Sequence, residues 1–189
     1  MHKYLPYLKP TKQIGINVAM YSFGDKVPNI HPSAFVHPEA VIIGDVTVGE
    51  LSFIGPCAVL RGDSSRIEIG ARTSIQDGCV IHCTAELPTI VGDECTVGHN
   101  AHLEGCTVQN GALVGSGSLV LHNAIVETGA LVAAGAVVLG GTLVPSGALA
   151  VGVPAKIKEG AADPETIAYS IKTYTENARR YPLEMKRIN

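Results

Sequence analysis

Large aromatic side chains are scarce in this sequence. Tryptophan is absent, and aromatic residues make up 5% of the 189 positions. Since aromatic side chains supply much of the buried area of an ordinary core, this chain must fill its interior with smaller aliphatic residues stacked in a regular way. Hydrophobic residues reach 46% and there are 21 glycines, so we expect one main domain with a sizeable core.

Strong net charge, paired cysteines and long apolar runs are also lacking. A formal charge of −3 and a pI near 6.1 give no basic field for nucleic acid or an anionic membrane surface. The five cysteines are odd in number and contain no CxxC pair, which indicates reduced thiols in a cytoplasmic protein. The sequence shows neither a signal peptide nor a stretch as long as a membrane span.

The chain divides into three parts. Residues 1–19 lack clear periodicity and form an N-terminal extension, with Met20 as an alternative start. Residues 20–160 form the main domain, and residues 161–189 form a C-terminal helix. That helix should begin with Asp163 as N-cap and Pro164 at its first position, and run for about four turns. A stripe on one of its faces should pack on the main domain of this subunit or a neighbour: Ile167, Ile171, Tyr174 and Ala178.

From Val41 onward the sequence repeats every six residues. An aliphatic residue is often followed by glycine and, four positions later, by a small residue, as at Val97, Gly98 and Ala101. A six-residue repeat of this length is typical of a parallel β-helix, in which three flat sides close a coil of about 18 residues. We therefore predict an all-β solenoid. The aliphatic positions predicted to fill its interior include Val48, Ile54, Ile69, Val91, Val97, Val114, Val120, Val126, Val132, Val138 and Val144.

Two longer steps interrupt the repeat. Leu60 to Ile69 spans nine residues and Ile81 to Val91 spans ten, which predicts excursions near residues 61–66 and 83–88. Insertions in a solenoid commonly mark its working surface.

The second excursion determines how the histidines are placed. Ile81 and Leu103 are 22 residues apart, and removing the four extra residues leaves about one coil of 18. His82 and Glu104 should therefore stack in one column on adjacent coils. His99 falls one side earlier and points around a corner, so it could join them only from a neighbouring subunit. This geometry favours a symmetric oligomer, most simply a homotrimer.

Several motifs resemble the gamma-class carbonic anhydrase family of hexapeptide-repeat proteins, over about residues 20–180. They are Arg61-Gly-Asp63, Ile75-Gln-Asp-Gly, Val80-Ile-His82, Val97-Gly-His99 and Gly105-Cys106. The resemblance implies a left-handed β-helix and a homotrimer that binds zinc, iron or cobalt at each subunit interface. Three histidines hold the metal in that family, two from one subunit and one from the next. His82 and His99 match the first two.

Glu104 stands where the family has its third histidine, and three interpretations follow. In the first, Glu104 is the third ligand; the pKa of water at the metal should then fall less than with three neutral imidazoles, so we expect weaker activity near neutral pH. In the second, His102 substitutes, because it faces the same side of its strand as Glu104. In the third, no metal binds and Glu104 pairs with His82.

The activity implied by the resemblance is hydration of carbon dioxide to bicarbonate, with proton loss to buffer. Gln76 matches a family residue near the reacting solvent, and Tyr174 falls where related proteins place a tyrosine near the site. Arg61 and Asp63 match an interface ion pair. Ser64 occupies the place of a proton-shuttle glutamate, so that group is missing.

Two other functions remain open from the sequence. One is a hexapeptide acyltransferase that uses coenzyme A with a histidine as general base, or a related thioesterase. The other is a non-catalytic trimeric scaffold or binding protein that has lost the metal. We expect His122 to lie at a surface or interface without a catalytic role.

Overall fold

The computed structural model describes residues 18–189 and shows a parallel β-helix followed by one α-helix. This confirms the predicted solenoid with a C-terminal helix. Residues 1–17 of the predicted N-terminal extension lie outside the described residues. Among the described residues, strand pairing begins at Ala19, which lies opposite Val41. The division of the chain at residue 19 stays a prediction.

Twenty short strands, numbered in chain order, form three faces of a prism. The first face contains β3 (Phe35–Val36), β5 (Phe53–Ile54), β7 (Ser74–Ile75), β10 (Thr96–Val97), β13 (Leu113–Val114), β16 (Leu131–Val132), β19 (Leu149–Val151) and β20 (Lys156–Lys158). The second contains β1 (Ala19–Tyr21), β8 (Val80–His82), β11 (His102–Glu104), β14 (Leu119–Val120) and β17 (Val137–Val138). The third contains β2 (Asn29–Ile30), β9 (Thr89–Val91), β12 (Thr107–Val108), β15 (Ile125–Val126) and β18 (Leu143–Val144). The longer β4 (Val41–Val48) and β6 (Val59–Ile69) turn the edge between the second and third faces. Neighbouring strands pair in parallel, except β20, which runs antiparallel to β19.

A ladder of aliphatic side chains fills the prism. Every aliphatic position predicted for the interior is at most 2% exposed. Such a side chain contributes about 1.5–3 kcal/mol when fully buried, so a repeated column of them supplies the stability that the missing aromatics would otherwise provide. The six-residue period is therefore the core pattern of this fold.

The two predicted excursions occur where the step lengthens. In the first, Gly44 pairs with Gly62 and Val46 pairs with Ile67, so the extra residues of β6 bulge out at residues 63–66. In the second, the chain turns back through a hydrogen bond from Thr84 N to Leu87 O, 3.0 Å long. Both lie between the second and third faces and adjoin His82 at the end of β8.

The C-terminal helix, α1 (Pro164–Glu184), packs on the first face of its own chain. Asp163 caps it as predicted, accepting a hydrogen bond from Glu165 N. At 21 residues the helix is longer than the predicted four turns. The stripe continues beyond Ala178, because the ring of Tyr181 packs with its centroid 5.3 Å from Phe35 and 5.1 Å from Phe53.

Candidate functional site

Strand register places Glu104 directly opposite His82, which confirms the predicted stacking. β11 and β8 pair in parallel with Leu103 against Ile81 and Glu104 against His82. The two buried leucine and isoleucine side chains point inward, so the next residue on each strand points outward on the second face. His82 Nδ1 lies 2.8 Å from Glu104 Oε1. The hydrogen bond from His82 is the main reason why the pKa of Glu104 is lowered.

The other nitrogen of His82 faces a second carboxylate. His82 Nε2 lies 3.3 Å from Asp63 Oδ1, and Arg61 donates to the second oxygen of Asp63 at 2.7 Å. Burial acts to raise the pKa of Asp63, but the hydrogen bonds and charges of Arg61 and His82 outweigh it, and the pKa is lowered. The bulge in β6 brings Asp63 to this position, because Arg61 pairs with His82 in the regular register. The predicted interface pair, Arg61 and Asp63, is thus an ion pair within one chain that also holds His82.

Two further histidines surround Glu104. His102, which precedes Leu103 on β11, has Nε2 3.4 Å from Glu104 Oε2. His122 lies on the next coil, with Nε2 3.7 Å from Glu104 Oε1. Its ring is half exposed, as expected of a surface residue, but its Nε2 atom is buried and lacks a hydrogen-bond partner within residues 18–189. Glu104 is therefore a carboxylate with three imidazoles around it.

His99 lies at a different edge of the prism. It follows β10 on the first face, with Nδ1 3.1 Å from Asp77 Oδ2 and Nε2 3.4 Å from the Tyr174 hydroxyl on α1. Burial raises the pKa of Tyr174, so its hydroxyl stays protonated at neutral pH and can donate. Gln76, beside Asp77, is only 4% exposed. A single chain thus brings His82, His102 and Glu104 together and keeps His99 and Tyr174 in a second group. The backbone N–H of Gln76 donates to Val97 O at 2.9 Å on the same face as that group.

Asp77 and His122 are the residues that sequence reasoning did not place in the site. Asp77 and His99 are 22 residues apart, the same spacing as His82 and Glu104, so the coil arithmetic could have paired them. Glu104 and His122 are 18 residues apart, the length of one regular coil, so the same arithmetic could have paired them. The step from Leu103 to Val108 is five residues, one short of the repeat, so His122 is offset from Glu104 by one position.

Within residues 18–189 of one chain, no three or more histidine, cysteine, aspartate or glutamate side chains already surround a common metal position. The available donors nevertheless match zinc, which takes imidazole nitrogens and carboxylate oxygens. The buried, unpartnered Nε2 of His122 supports that match, because a ligand would complete it. Four of the five free cysteines are buried, and burial raises the pKa of the Cys79 thiol to about 11, which disfavours the thiolate that binds metals. Among the described residues, no helix is both long and apolar enough to cross a membrane.

Comparisons with known proteins identify the repeat. A family model described as bacterial transferase hexapeptide (six repeats) matches residues 28–62. The carnitine operon protein CaiE of Escherichia coli is 47% identical over 104 residues, which cover 55% of this chain and 53% of that protein. The chain therefore spans about half the length of the curated relatives it matches.

Two solved structures are similar over most of both chains. A hexapeptide transferase family protein from Anaplasma phagocytophilum is 36% identical with a TM-score of 0.82, covering 86% of this chain and 98% of that one. A Bacillus cereus protein described as a candidate acetyltransferase is 38% identical with a TM-score of 0.85, covering 88% and 98%. The likeness thus extends well beyond the short repeat at residues 28–62.

Proposed function

This chain belongs to the hexapeptide-repeat family, and from that premise we propose that it is a trimeric, metal-dependent hydratase. Its reaction would convert carbon dioxide and water to bicarbonate and a proton, which passes to buffer. The metal, zinc with iron or cobalt as alternatives, would bind at each of the subunit interfaces. His82 and Glu104 would come from one subunit and His99 from its neighbour.

The observation that carries this proposal is the carboxylate partner of each candidate histidine ligand. His82 Nε2 faces Asp63 and His99 Nδ1 faces Asp77, at 3.3 and 3.1 Å. Histidines that bind metals almost always donate their second ring nitrogen to a carboxylate, a carbonyl or water, which fixes the ring and its tautomer. The remaining nitrogens, Nδ1 of His82 and Nε2 of His99, are then the metal donors.

A metal at this position would supply a Lewis acid and lower the pKa of water toward neutrality. The protein residues orient the reactants around it. Arg61 holds Asp63, and Asp63 holds the His82 ring toward Glu104. Glu104 contributes the carboxylate, whose lowered pKa keeps it ionised at neutral pH.

Gln76 and Tyr174 would act from the His99 side of the interface. The Gln76 amide can accept from the attacking water and donate to an oxygen of carbon dioxide. The Tyr174 hydroxyl can donate to bicarbonate oxygen, since its raised pKa keeps it protonated. Because Glu104 replaces a neutral imidazole, we expect the activity to be weak near neutral pH and to rise with pH.

The test is stopped-flow hydration of carbon dioxide by the zinc-loaded protein, with His82→Ala, Glu104→His and His31→Ala as variants. His31 is an exposed residue whose Nδ1 contacts Ser33 Oγ at 2.9 Å, so its substitution serves as the matched control. Wild-type activity that survives in His31→Ala and disappears in His82→Ala supports the proposal. Activity that appears only in Glu104→His would instead favour a trimeric scaffold, in which Glu104 and His82 pair without metal.

Acyl transfer from coenzyme A is the second candidate, and the two similar structures favour it by their descriptions as transferases. The Asp77–His99 contact has the form of an imidazole oriented by a carboxylate, which suits a general base. Thioester hydrolysis is a variant of the reaction at the proposed metal site. Release of free thiol from acetyl coenzyme A, measured with and without an amine or hydroxyl acceptor, discriminates the functions. Acyl transfer predicts release that needs the acceptor and His99 and survives in His82→Ala. Thioester hydrolysis predicts release that needs no acceptor and is lost in His82→Ala, and hydration predicts no release.

A further inference from the structure

We propose that His122 is a ligand of the metal and supplies the imidazole that position 104 lacks. This inference rests on the proposed function. The first observation is that His122 Nε2 is buried and has no hydrogen-bond partner among residues 18–189. The His122 side chain as a whole is half exposed. Buried polar atoms are nearly always paired, so an unpaired nitrogen aimed at a carboxylate indicates a ligand shared with that carboxylate.

A local irregularity of the coil places His122 opposite Gly105 rather than directly opposite Glu104, where a regular 18-residue coil would place it. Leu103 pairs with Val120, 17 residues later, because the step from Leu103 to Val108 is one residue short. Extending this register places His122 opposite Gly105, and Asn123 N donates to Gly105 O at 2.7 Å. Gly105 has φ +61°, and a Cβ atom there would lie 3.0 Å from Cδ2 of His122. The imidazole therefore occupies space that only glycine leaves open.

The distances are those of donors around a small cation. Donors on a tetrahedral zinc ion at 2.0–2.1 Å lie about 3.3 Å apart. Glu104 Oε1 lies 2.8 Å from Nδ1 of His82 and 3.7 Å from Nε2 of His122, which brackets that spacing. In the described residues of one chain the three donors do not yet surround one position, so binding would require these side chains to rotate toward a common point on the second face. With His99 of a neighbouring subunit the metal would have four protein donors, so the reacting water would enter as a fifth, an expansion that zinc allows.

His102 is the competing imidazole, and its contacts distinguish it from His122. His102 Nε2 already has a hydrogen-bond partner, Glu104 Oε2, at 3.4 Å. It lies on the same strand as Glu104 and approaches the oxygen that faces away from His82. His122 and His82 share the other oxygen, Oε1. The structure therefore assigns His102 to holding Glu104 and His122 to holding the metal.

The experiment measures zinc binding to the full chain by titration calorimetry, without reference to activity. The variants are His122→Ala, His102→Ala, His82→Ala and the control His31→Ala. We expect His122→Ala to weaken zinc binding by more than the roughly 10- to 100-fold that loss of an outer partner costs, and His102→Ala to stay within that range. Cobalt substitution gives a second readout, because its visible spectrum depends on the number and geometry of donors. The spectrum should change in His122→Ala and remain unchanged in His31→Ala.

The outcomes separate this inference from the proposed function. Wild-type zinc affinity in His122→Ala, together with loss of binding in His82→Ala, would overturn the role of His122 and leave the metal site standing. A larger loss in His102→Ala than in His122→Ala would also overturn it. Absence of zinc binding by the wild-type protein would overturn both.

Discussion

Substituting Gly105 with alanine should weaken both the fold and the metal site. Gly105 has φ +61°, a conformation that costs a residue with a side chain about 1–2 kcal/mol. The added Cβ would also lie 3.0 Å from His122 Cδ2 and 3.0 Å from Leu87 Cβ, closer than most Cβ contacts. Relieving this overpacking should cost about 1–3 kcal/mol more, and the half-exposed His122 ring is the neighbour free to move away.

Gly111 provides a matched control for that substitution. It has φ +66°, but a Cβ atom there would meet nothing within 4 Å. Gly111→Ala should therefore carry the backbone strain alone. Urea unfolding at a fixed subunit concentration measures the difference in free energy of unfolding, and calorimetry measures zinc affinity. Gly105→Ala should lose more stability and more zinc affinity than Gly111→Ala. Equal losses in both measurements would refute the placement of His122 over Gly105.

Three further substitutions test the core and the charges around the site. Leu103→Ala removes a fully buried side chain between His102 and Glu104 and should cost about 3–5 kcal/mol in urea unfolding; a cost below about 1 kcal/mol would contradict the packing. Phe53→Ala should cost a similar amount and raise hydrogen exchange in α1, because the Phe53 ring packs on Tyr181; unchanged exchange would contradict that contact. The folded-state pKa of Glu104 is lowered below 4.5, so its stabilising contribution is present above that pH and is lost as the pH falls through the lowered pKa. Glu104→Gln should therefore flatten the acid side of the stability–pH curve of the metal-free protein, and an unchanged curve would count against the contact with His82.

The sequence was sufficient to predict the main features of the fold. The six-residue spacing of buried aliphatics defines the coil, and the two long steps located the excursions beside His82. The same arithmetic predicted that Glu104 stacks on His82. The length of α1 was underestimated because the stripe was followed only to Ala178, whereas Tyr181 continues it against two phenylalanine rings.

The candidate site was only partly predictable. His82, His102 and Glu104 come together because β8 and β11 pair in register. That register follows from the number of residues between the buried aliphatic positions, so it could be predicted from the sequence. Asp63 reaches His82 through a bulge whose shape spacing alone does not determine. His122 lies 18 residues after Glu104, so a regular coil would place the two directly opposite each other. The five-residue step from Leu103 to Val108 places His122 opposite Gly105 instead, where its Nε2 still lies 3.7 Å from Glu104 Oε1.

The trimeric site is tested most directly by mixing two inactive chains. His82→Ala retains His99 for its neighbour, and His99→Ala retains His82 and Glu104, so a mixed trimer contains one intact interface of three. With random assembly from equal amounts, about a quarter of the interfaces in the purified mixture should bind zinc with wild-type affinity, while neither variant alone should contain such a site. Wild-type zinc affinity in the His99→Ala protein alone, or no site of that affinity in the mixture of co-expressed chains, would contradict a metal shared between subunits.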